Sequence, residues 1–264
     1  MYDGINDIID KRNFIVSDPY IQGRIVEYDI KSANISMLKK YNVITDTYYD
    51  YLSKLPKYDR EVEIGIRIRE NNKIQKVIYN GIDETLKKFI EINNINPVNI
   101  IRRANDALYI NTPIDLKYTN IDGIIVRQKN IYSSLLQLNK LLFLFYYDPD
   151  INVDIKGIKP ELIELHNGYM ITVIGTAILL HERSSTIDAL SYLNDIIENY
   201  INLKLPVGYY RNLDSFSNYV YNIYGGFMST TQPQVIDNTI NIEYNFNLLR
   251  ELYSILFNMY IRTV

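Results

Sequence analysis

Two short apolar runs separated by only three residues constrain the fold most strongly. Residues 98–103 and 107–111 are rich in β-type residues, and only Ala104, Asn105 and Asp106 lie between them. A connection this short joins antiparallel neighbours, because parallel strands need a crossover of about a dozen residues or more. The sequence therefore predicts an antiparallel hairpin with Asp106 at or near its turn.

A further predicted strand also ends beside a carboxylate. Residues 24–30 alternate like a half-buried strand, and residues 32–41 then show apolar side chains at helical spacing, so Asp29 lies at the end of the strand. The other predicted elements are a β-hairpin of 61–68 with 74–79, strands over 141–147 and 153–158, and helices over 84–92, 186–203 and 246–259. Because these patterns do not give regular βαβ units, they predict an α+β fold rather than a parallel doubly wound sheet.

The residue types present exclude several kinds of chemistry. The 264 residues include no cysteine and only 2 histidines, which excludes disulfides, thiol catalysis and zinc sites built on Cys or His. The net charge of −3 shows no basic excess, so a contact with nucleic acid would need local patches. The first residues do not resemble a signal peptide, and no apolar run approaches the roughly 20 residues of a membrane span. We therefore expect no membrane association and a cytoplasmic location, that of the host cell if the protein is viral.

Carboxylates remain as the candidate metal ligands. A central antiparallel sheet could bring Asp29 and Asp106 together, and hard cations such as Mg²⁺ or Mn²⁺ prefer carboxylate oxygens. Two such metals about 4 Å apart can activate a 3′-hydroxyl and stabilise a leaving pyrophosphate. An aspartate at a strand end is also common as an Asx turn or a helix cap, so the pattern by itself leaves both interpretations open.

The residues around both aspartates resemble motifs of family B DNA polymerases. The segment Asp29-Ile30-Lys31-Ser32-Ala33-Asn34-Ile35-Ser36 is similar to motif A, an Asp followed after two residues by Ser, Leu or Ala, Tyr, Pro and Ser. The segment Asn105-Asp106-Ala107-Leu108-Tyr109-Ile110 resembles the second half of motif C, Asp-Thr-Asp-Ser before an apolar strand. Asp106 matches the second aspartate of that motif, and Ala104 replaces the first. The resemblance covers roughly residues 20–160 and includes the order of the elements between and after the motifs.

The resemblance implies a fold, a set of site residues and partners. Residues 1–160 would form a palm-like antiparallel sheet with helices on one face, and residues 161–264 a mostly helical region that is thumb-like or used for interaction. Asp29 and Asp106 would be catalytic metal ligands for Mg²⁺ or Mn²⁺. The nucleotide would be lined by Ser32, Ala33 and Asn34. The candidate contacts to nucleic acid are Arg102, Arg103, Lys129 and Lys140, the two lysines being alternatives for the family's primer-holding element. For each of these residues, an ordinary solvated surface charge is the simpler interpretation.

The sequence also departs from the family at three points. Asn34 stands where the family has a tyrosine that excludes a 2′-hydroxyl, so sugar discrimination does not carry over. No residue replaces the nucleotide-binding lysine of the fingers, and the chain before Asp29 is too short for a proofreading exonuclease. We therefore expect fingers and exonuclease to be absent or to be supplied by other chains.

Three functional hypotheses follow from the sequence. The first is a divalent-metal-dependent nucleotidyltransferase or a palm subunit of a DNA polymerase-like replication enzyme, which acts on nucleic acid and nucleoside triphosphates. The second is a catalytically inactive, polymerase-derived structural or interaction subunit of a viral or phage assembly. The third is an α+β binding module unrelated to polymerases. Retention of Asp29 and Asp106 favours the first hypothesis, and Ala104 favours the second.

Overall fold

A computed structural model describes residues 5–10, 15, 18–113, 115–147, 151–210, 213, 219–221, 227–229 and 243–263. The helices are α1 Ile5–Asp10, α2 Ala33–Lys40, α3 Asp46–Lys54, α4 Lys57–Glu70, α5 Lys73–Ile92, α6 Pro160–His166, α7 Met170–Arg183, α8 Thr186–Ile201 and α9 Glu243–Thr263. The strands are β1 Tyr20–Ile30, β2 Ile100–Ala104, β3 Ala107–Asn111, β4 Asn120–Ile121, β5 Ile124–Leu138, β6 Leu141–Tyr147, β7 Ile151–Lys156, β8 Tyr219–Tyr221 and β9 Phe227–Ser229. Among these described helices, none combines the length and the apolar character needed to cross a membrane.

Seven strands form one antiparallel sheet. Its order is β2-β3-β1-β5-β6-β7, and β4 pairs with β5 beside this path. Strands β8 and β9 pair with each other in a separate sheet. The predicted α+β class, with an antiparallel sheet and a helical C-terminal region, is confirmed.

The predicted hairpin at residues 100–111 is present as β2 and β3, with Ala104 paired to Ala107. Asn105 occupies the turn with a φ of 51°, a left-handed conformation that asparagine adopts more readily than most residues. Strand β3 continues the sheet to β1, where Asp29 is the partner of Ala107. The register therefore places Asp29 beside the turn that carries Asp106.

The chain divides into two compact units, of which the first comprises Met1–Ser17 and Gly23–Tyr132. Its core is built from alternate residues of β1, namely Val26, Tyr28 and Ile30, which pack with apolar side chains of α2 and α5. Because the side chains of a strand alternate between the two faces of a sheet, the odd-numbered Glu27 and Asp29 lie on the opposite face from this core. The two acidic residues of β1 are thereby kept out of the hydrophobic core.

The second unit comprises Asp18–Gln22 and Ser133–Val264. Apolar residues of β5 and β6, such as Leu136 and Phe143, pack with buried side chains of α7, α8 and α9. The predicted helix near residue 186 is present as α8, and its N-cap Ser185 accepts a hydrogen bond from the backbone N–H of Asp188. The predicted division of the chain after residue 160 stays a prediction.

The predicted β-hairpin of 61–68 with 74–79 is wrong, because these residues belong to helices α4 and α5. In a helix, the alternating apolar residues separate into two pairs with a spacing of four. Ile64 is buried and Ile68 packs against the core, whereas Val62 and Ile66 are exposed. The alternation therefore fits a half-buried helix as well as a strand, and tertiary packing decides between the two.

Candidate functional site

A polar cleft of about 460 Å³ lies in the first unit. Its lining combines the end of β1, the β2–β3 turn and Arg127 of β5 with the N-terminal parts of α2 and α4 and one face of α5. The lining residues are Asp29, Ile30, Ser32, Ala33, Asn34, Lys57, Arg60, Glu61, Tyr79, Ile82, Asn105, Asp106 and Arg127. The volume is within the range of small-molecule sites, and the three cations and three carboxylates in the lining suit a charged ligand.

The sheet brings Asp29 and Asp106 into this cleft, the first from the end of β1 and the second from the β2–β3 turn. The backbone N–H of Ile30 donates to the carbonyl oxygen of Asp106 at 3.1 Å, so the turn is held beside the residue that follows Asp29. This arrangement depends on the pairing of β1 with β3, which joins segments far apart in the sequence.

Asp106 is held in an environment that disfavours its charge. Burial, and secondarily the negative charge of Asp29, raise the pKa of the Asp106 carboxyl, while the charges of Lys129 and Lys57 act in the opposite direction. Within the described part of the chain, Asp106 forms no ion pair. A cation bound beside both carboxylates would relieve their mutual repulsion.

Asp29 differs from Asp106 because it is already paired with cations of β5. Arg127 donates from Nε to Oδ1 at 2.8 Å and from Nη2 to Oδ2 at 3.3 Å, and Lys129 Nζ lies 3.9 Å from Oδ2. Lys129 is nearer to Glu27, at 2.9 Å, and this buried carboxylate also accepts a hydrogen bond from Tyr132. Strands β1 and β5 thus carry a ladder of opposite charges that leads into the cleft.

The beginning of α2 faces the same cleft. Ser32, the N-cap residue of α2, has a φ of 51°, and its side chain makes no capping hydrogen bond. The side chain of Asn34 instead donates to Glu61 Oε2 at 2.8 Å. Uncapped N–H groups at a helix N-terminus favour an anion, so the predicted nucleotide-lining residues lie where a phosphate group would be stabilised.

The beginning of α4 adds two cations that were not predicted from the sequence. Lys57 and Arg60 lie in the first turn of α4, and Pro56 provides no side-chain cap. Neither residue has an ion pair in the described part of the chain. Cations at the positive end of a helix dipole are unfavourable, so their presence beside the carboxylates favours a role in binding an anion. In the sequence, the only indication that these cations lie at the beginning of a helix was Pro56 before Lys57, since proline is common where helices begin.

The donor set suits a hard divalent cation that is bound together with a substrate. Mg²⁺ commonly uses one or two carboxylates and fills its other positions with water and substrate phosphates, and Asp29 and Asp106 provide two carboxylates. No group of three or more His, Cys, Asp or Glu side chains able to hold a metal occurs among the described residues. A metal here would therefore depend on a ligand for part of its coordination.

The residues predicted to contact nucleic acid have different environments. Arg103 is only 1% exposed, and it donates to the carbonyls of Ile9 and Asn105 and to the carboxylate of Asp83. A buried guanidinium with these partners is unavailable to a phosphate backbone, so the predicted nucleic-acid contact of Arg103 is replaced by a structural role.

The other three predicted contacts are on or near the surface. Burial lowers the pKa of Arg102, which is partly exposed. Lys129 belongs to the charge ladder of β1 and β5, and Lys140 lies in the exposed turn between β5 and β6, outside the lining of the cleft. Their contacts to nucleic acid stay predictions.

Together, the fold and the cleft define an α+β protein with a sheet-end site that combines carboxylates, cations and a helix N-terminus. Residues 5–260 match the family described as Bacteriophage PBS1 gene 130 protein. This match spans nearly the whole chain, so the chain belongs to that family of phage proteins. A comparison with curated proteins gave no significant match.

Proposed function

We propose that the protein binds a nucleoside triphosphate with a divalent cation and acts in nucleotidyl transfer, as a palm-like subunit of a phage DNA polymerase-like assembly. The observation that carries this proposal is the cleft itself. It places Asp29 and Asp106 beside the uncapped beginnings of α2 and α4 and beside Lys57 and Arg60. One part of the cleft suits a metal and the other suits a polyphosphate.

Each residue has a role in this proposal. Asp29 and Asp106 would hold Mg²⁺ or Mn²⁺, which supplies charge neutralisation and activation of a hydroxyl in phosphoryl transfer. Lys57, Arg60 and the N–H groups at the beginning of α2 would orient the triphosphate. Asn34, already hydrogen-bonded to Glu61, would lie near the sugar.

From the sequence we expected the fingers, with their nucleotide-binding lysine, to be absent or supplied by another chain, and helices α4 and α5 offer cations within this chain. They lie between the two motif-like segments and supply Lys57, Arg60 and Tyr79 to the cleft. The chain thus has its own candidate phosphate contacts. Partner chains remain part of the proposal for template binding and for proofreading, and the proposed place of action is the cytoplasm of the infected cell.

The test is nucleotide binding and primer extension with Mn²⁺, with the protein alone and with proteins encoded beside it. We expect Asp29→Asn and Asp106→Asn to reduce extension by several orders of magnitude, since each barrier increase of 1.36 kcal/mol is tenfold in rate. Lys57→Gln should mainly weaken nucleotide binding. Asp122→Asn, a carboxylate outside the cleft, is the matched control and should retain activity. Equal activity of the control and the two cleft variants would refute the catalytic assignment.

A second candidate function is a non-catalytic subunit of a phage assembly. It is favoured by Ala104 at the position of the first motif C aspartate and by the Arg127 guanidinium on Asp29, which neutralises one of the two carboxylates. In this case neither wild type nor the variants would bind Mn²⁺ with nucleotide or extend a primer. Asp29→Asn and Asp106→Asn would then be incorporated into the assembly as well as wild type.

A further inference from the structure

The Arg127 side chain lies close both to a carboxylate, that of Asp29, and to the part of the cleft that contains basic side chains. Its guanidinium contacts both carboxylate oxygens of Asp29, and the same residue lines the cleft that contains Lys57 and Arg60. The Arg127 side chain is 52% exposed, whereas that of Asp29 is 13% exposed. The arginine therefore approaches a largely buried carboxylate from the solvent side.

The charges of the side chains that line the cleft sum to zero only when that of Arg127 is included. Asp29, Glu61 and Asp106 supply three negative charges, and Lys57, Arg60 and Arg127 supply three positive charges. A divalent cation at the two aspartates would compete directly with Arg127 for Asp29, because both are attracted by the same oxygens. After such binding, the three basic side chains would exceed the charge left on the carboxylates and would favour a polyanion.

We propose that Arg127 occupies the cation position of Asp29 in the unliganded protein, exchanges with the divalent cation, and then contacts the phosphates of the nucleotide. This inference rests on the proposed function and adds a specific residue and an order of events to it. The exchange is feasible because ion pairs with solvent-exposed arginines contribute little stability and long side chains rearrange rapidly. Metal and phosphate would then each favour binding of the other, since such coupling is reciprocal.

Substitution of Arg127 should therefore have opposite effects on the two ligands. We expect Arg127→Gln to bind Mn²⁺ about tenfold more tightly than wild type in the absence of nucleotide, because a competing cation next to a carboxylate commonly weakens binding of a positive charge by at least that factor. The same variant should bind the magnesium complex of a nucleoside triphosphate about tenfold more weakly, because it loses one phosphate contact. Free Mn²⁺ is measured by electron paramagnetic resonance, and nucleotide binding by equilibrium dialysis.

Lys129→Gln is the matched control, because it removes the same charge from the same strand. Lys129 Nζ lies 3.9 Å from Asp29 but 2.9 Å from Glu27, so its removal should increase Mn²⁺ affinity less than Arg127→Gln does. Asp29→Asn should weaken Mn²⁺ binding both in the otherwise wild-type protein and when it is combined with Arg127→Gln.

The outcomes separate this inference from the proposed function. If wild type binds Mn²⁺ and nucleotide but Arg127→Gln binds Mn²⁺ equally or more weakly, the exchange is wrong and the proposed function stands. The exchange is also wrong if Mn²⁺ binding tightens while nucleotide binding is unchanged. If neither wild type nor Arg127→Gln binds Mn²⁺, whether nucleotide is absent or present, both proposals are overturned.

Discussion

At the scale of single residues, the environment of Asp106 makes its ionised carboxylate unfavourable for stability and suited to binding a ligand. Burial and the charge of Asp29 raise its pKa, so the folded protein holds the proton more tightly than the unfolded chain does. Stability from this group is therefore lost as the pH rises through the raised pKa, and the ionised group destabilises the fold above it. Such a cost is common at functional sites.

We predict that Asp106→Asn raises the thermal midpoint at pH 7 and that this gain shrinks as the pH falls toward 4. The amide removes a partly buried negative charge that is fully present only above the raised pKa. Thermal unfolding followed by circular dichroism across this pH range measures the difference.

Asp122→Asn is the matched comparison and should show the opposite sign. The pKa of Asp122 is lowered by its hydrogen bond from Lys88 and by the charges of Lys88 and Lys40, so its ionised form stabilises the fold. This substitution should lower the midpoint at pH 7 and lose its effect in acid. A stabilisation by Asp106→Asn that is equal at both ends of the pH range would contradict the electrostatic explanation.

The neighbouring arginines 102 and 103 should respond differently to the same substitution. Arg103→Met leaves the carboxylate of Asp83 and two backbone carbonyls without their donor, and we expect a loss of about 3 kcal/mol in the free energy of unfolding. Arg102→Met should cost much less, because burial already disfavours the charge of Arg102. Chemical denaturation of both variants measures the two free energies of unfolding. Similar losses would show that the hydrogen bonds of Arg103 contribute no more to stability than the surroundings of Arg102 do.

At the scale of elements, the packing of α2 on α5 depends on a glycine. A Cβ atom added at Gly81 would lie 2.6 Å from the ring of Tyr41 and 2.7 Å from Met37 Sδ, both closer than real contacts allow. Gly81 therefore permits the close approach of two helices that carry the cleft, although glycine is unfavourable inside a helix.

A pair of glycine substitutions separates helix propensity from packing. Gly65→Ala in α4 meets nothing within 4 Å and should stabilise the protein by about 0.5–1 kcal/mol. Gly81→Ala has the same gain in propensity but should destabilise the protein by about 1–3 kcal/mol because of overpacking. Urea unfolding curves provide both values, and a stabilising Gly81→Ala would contradict the packing described for α2 and α5.

At the scale of the whole molecule, the net charge gives little information about the cleft. The formal charge of −3 averages over 28 basic and 31 acidic residues, whereas the cleft concentrates three charges of each sign. A ligand responds to this local arrangement rather than to the total. The distribution of charge therefore indicates the candidate site, whereas the net charge does not.

If the cleft binds a metal, the metal should stabilise the whole fold by mass action. Mn²⁺ at 100 times its dissociation constant should add about 2.7 kcal/mol to the free energy of unfolding, which a shift of the thermal midpoint reports. Asp29→Asn and Asp106→Asn should lose most of this shift, while Asp122→Asn should keep it. The absence of any shift in wild type, both without and with nucleotide, would be evidence against a metal site.

The sequence by itself determined the elements that have clear local signals. The period-two pattern at residues 24–30, the three-residue connection at 104–106 and the helical spacing near 186–203 correspond to β1, the β2–β3 hairpin and α8. Asp29 and Asp106 could be located for the same reason, since a strand end and a hairpin turn are local features. Local periodicity could not show whether the two carboxylates share a site.

The tertiary structure decided which residues meet and which are buried. It made helices of the alternating segment at 61–68, because packing of Ile64 and Ile68 on the core selects one of two periods that the sequence allows. That selection brought Lys57 and Arg60 to Asp106 and Asp29, while strand pairing put Arg127 on Asp29 and folding enclosed Arg103. These contacts join segments distant in the chain, and their free energy depends on burial and on partners that no local pattern encodes.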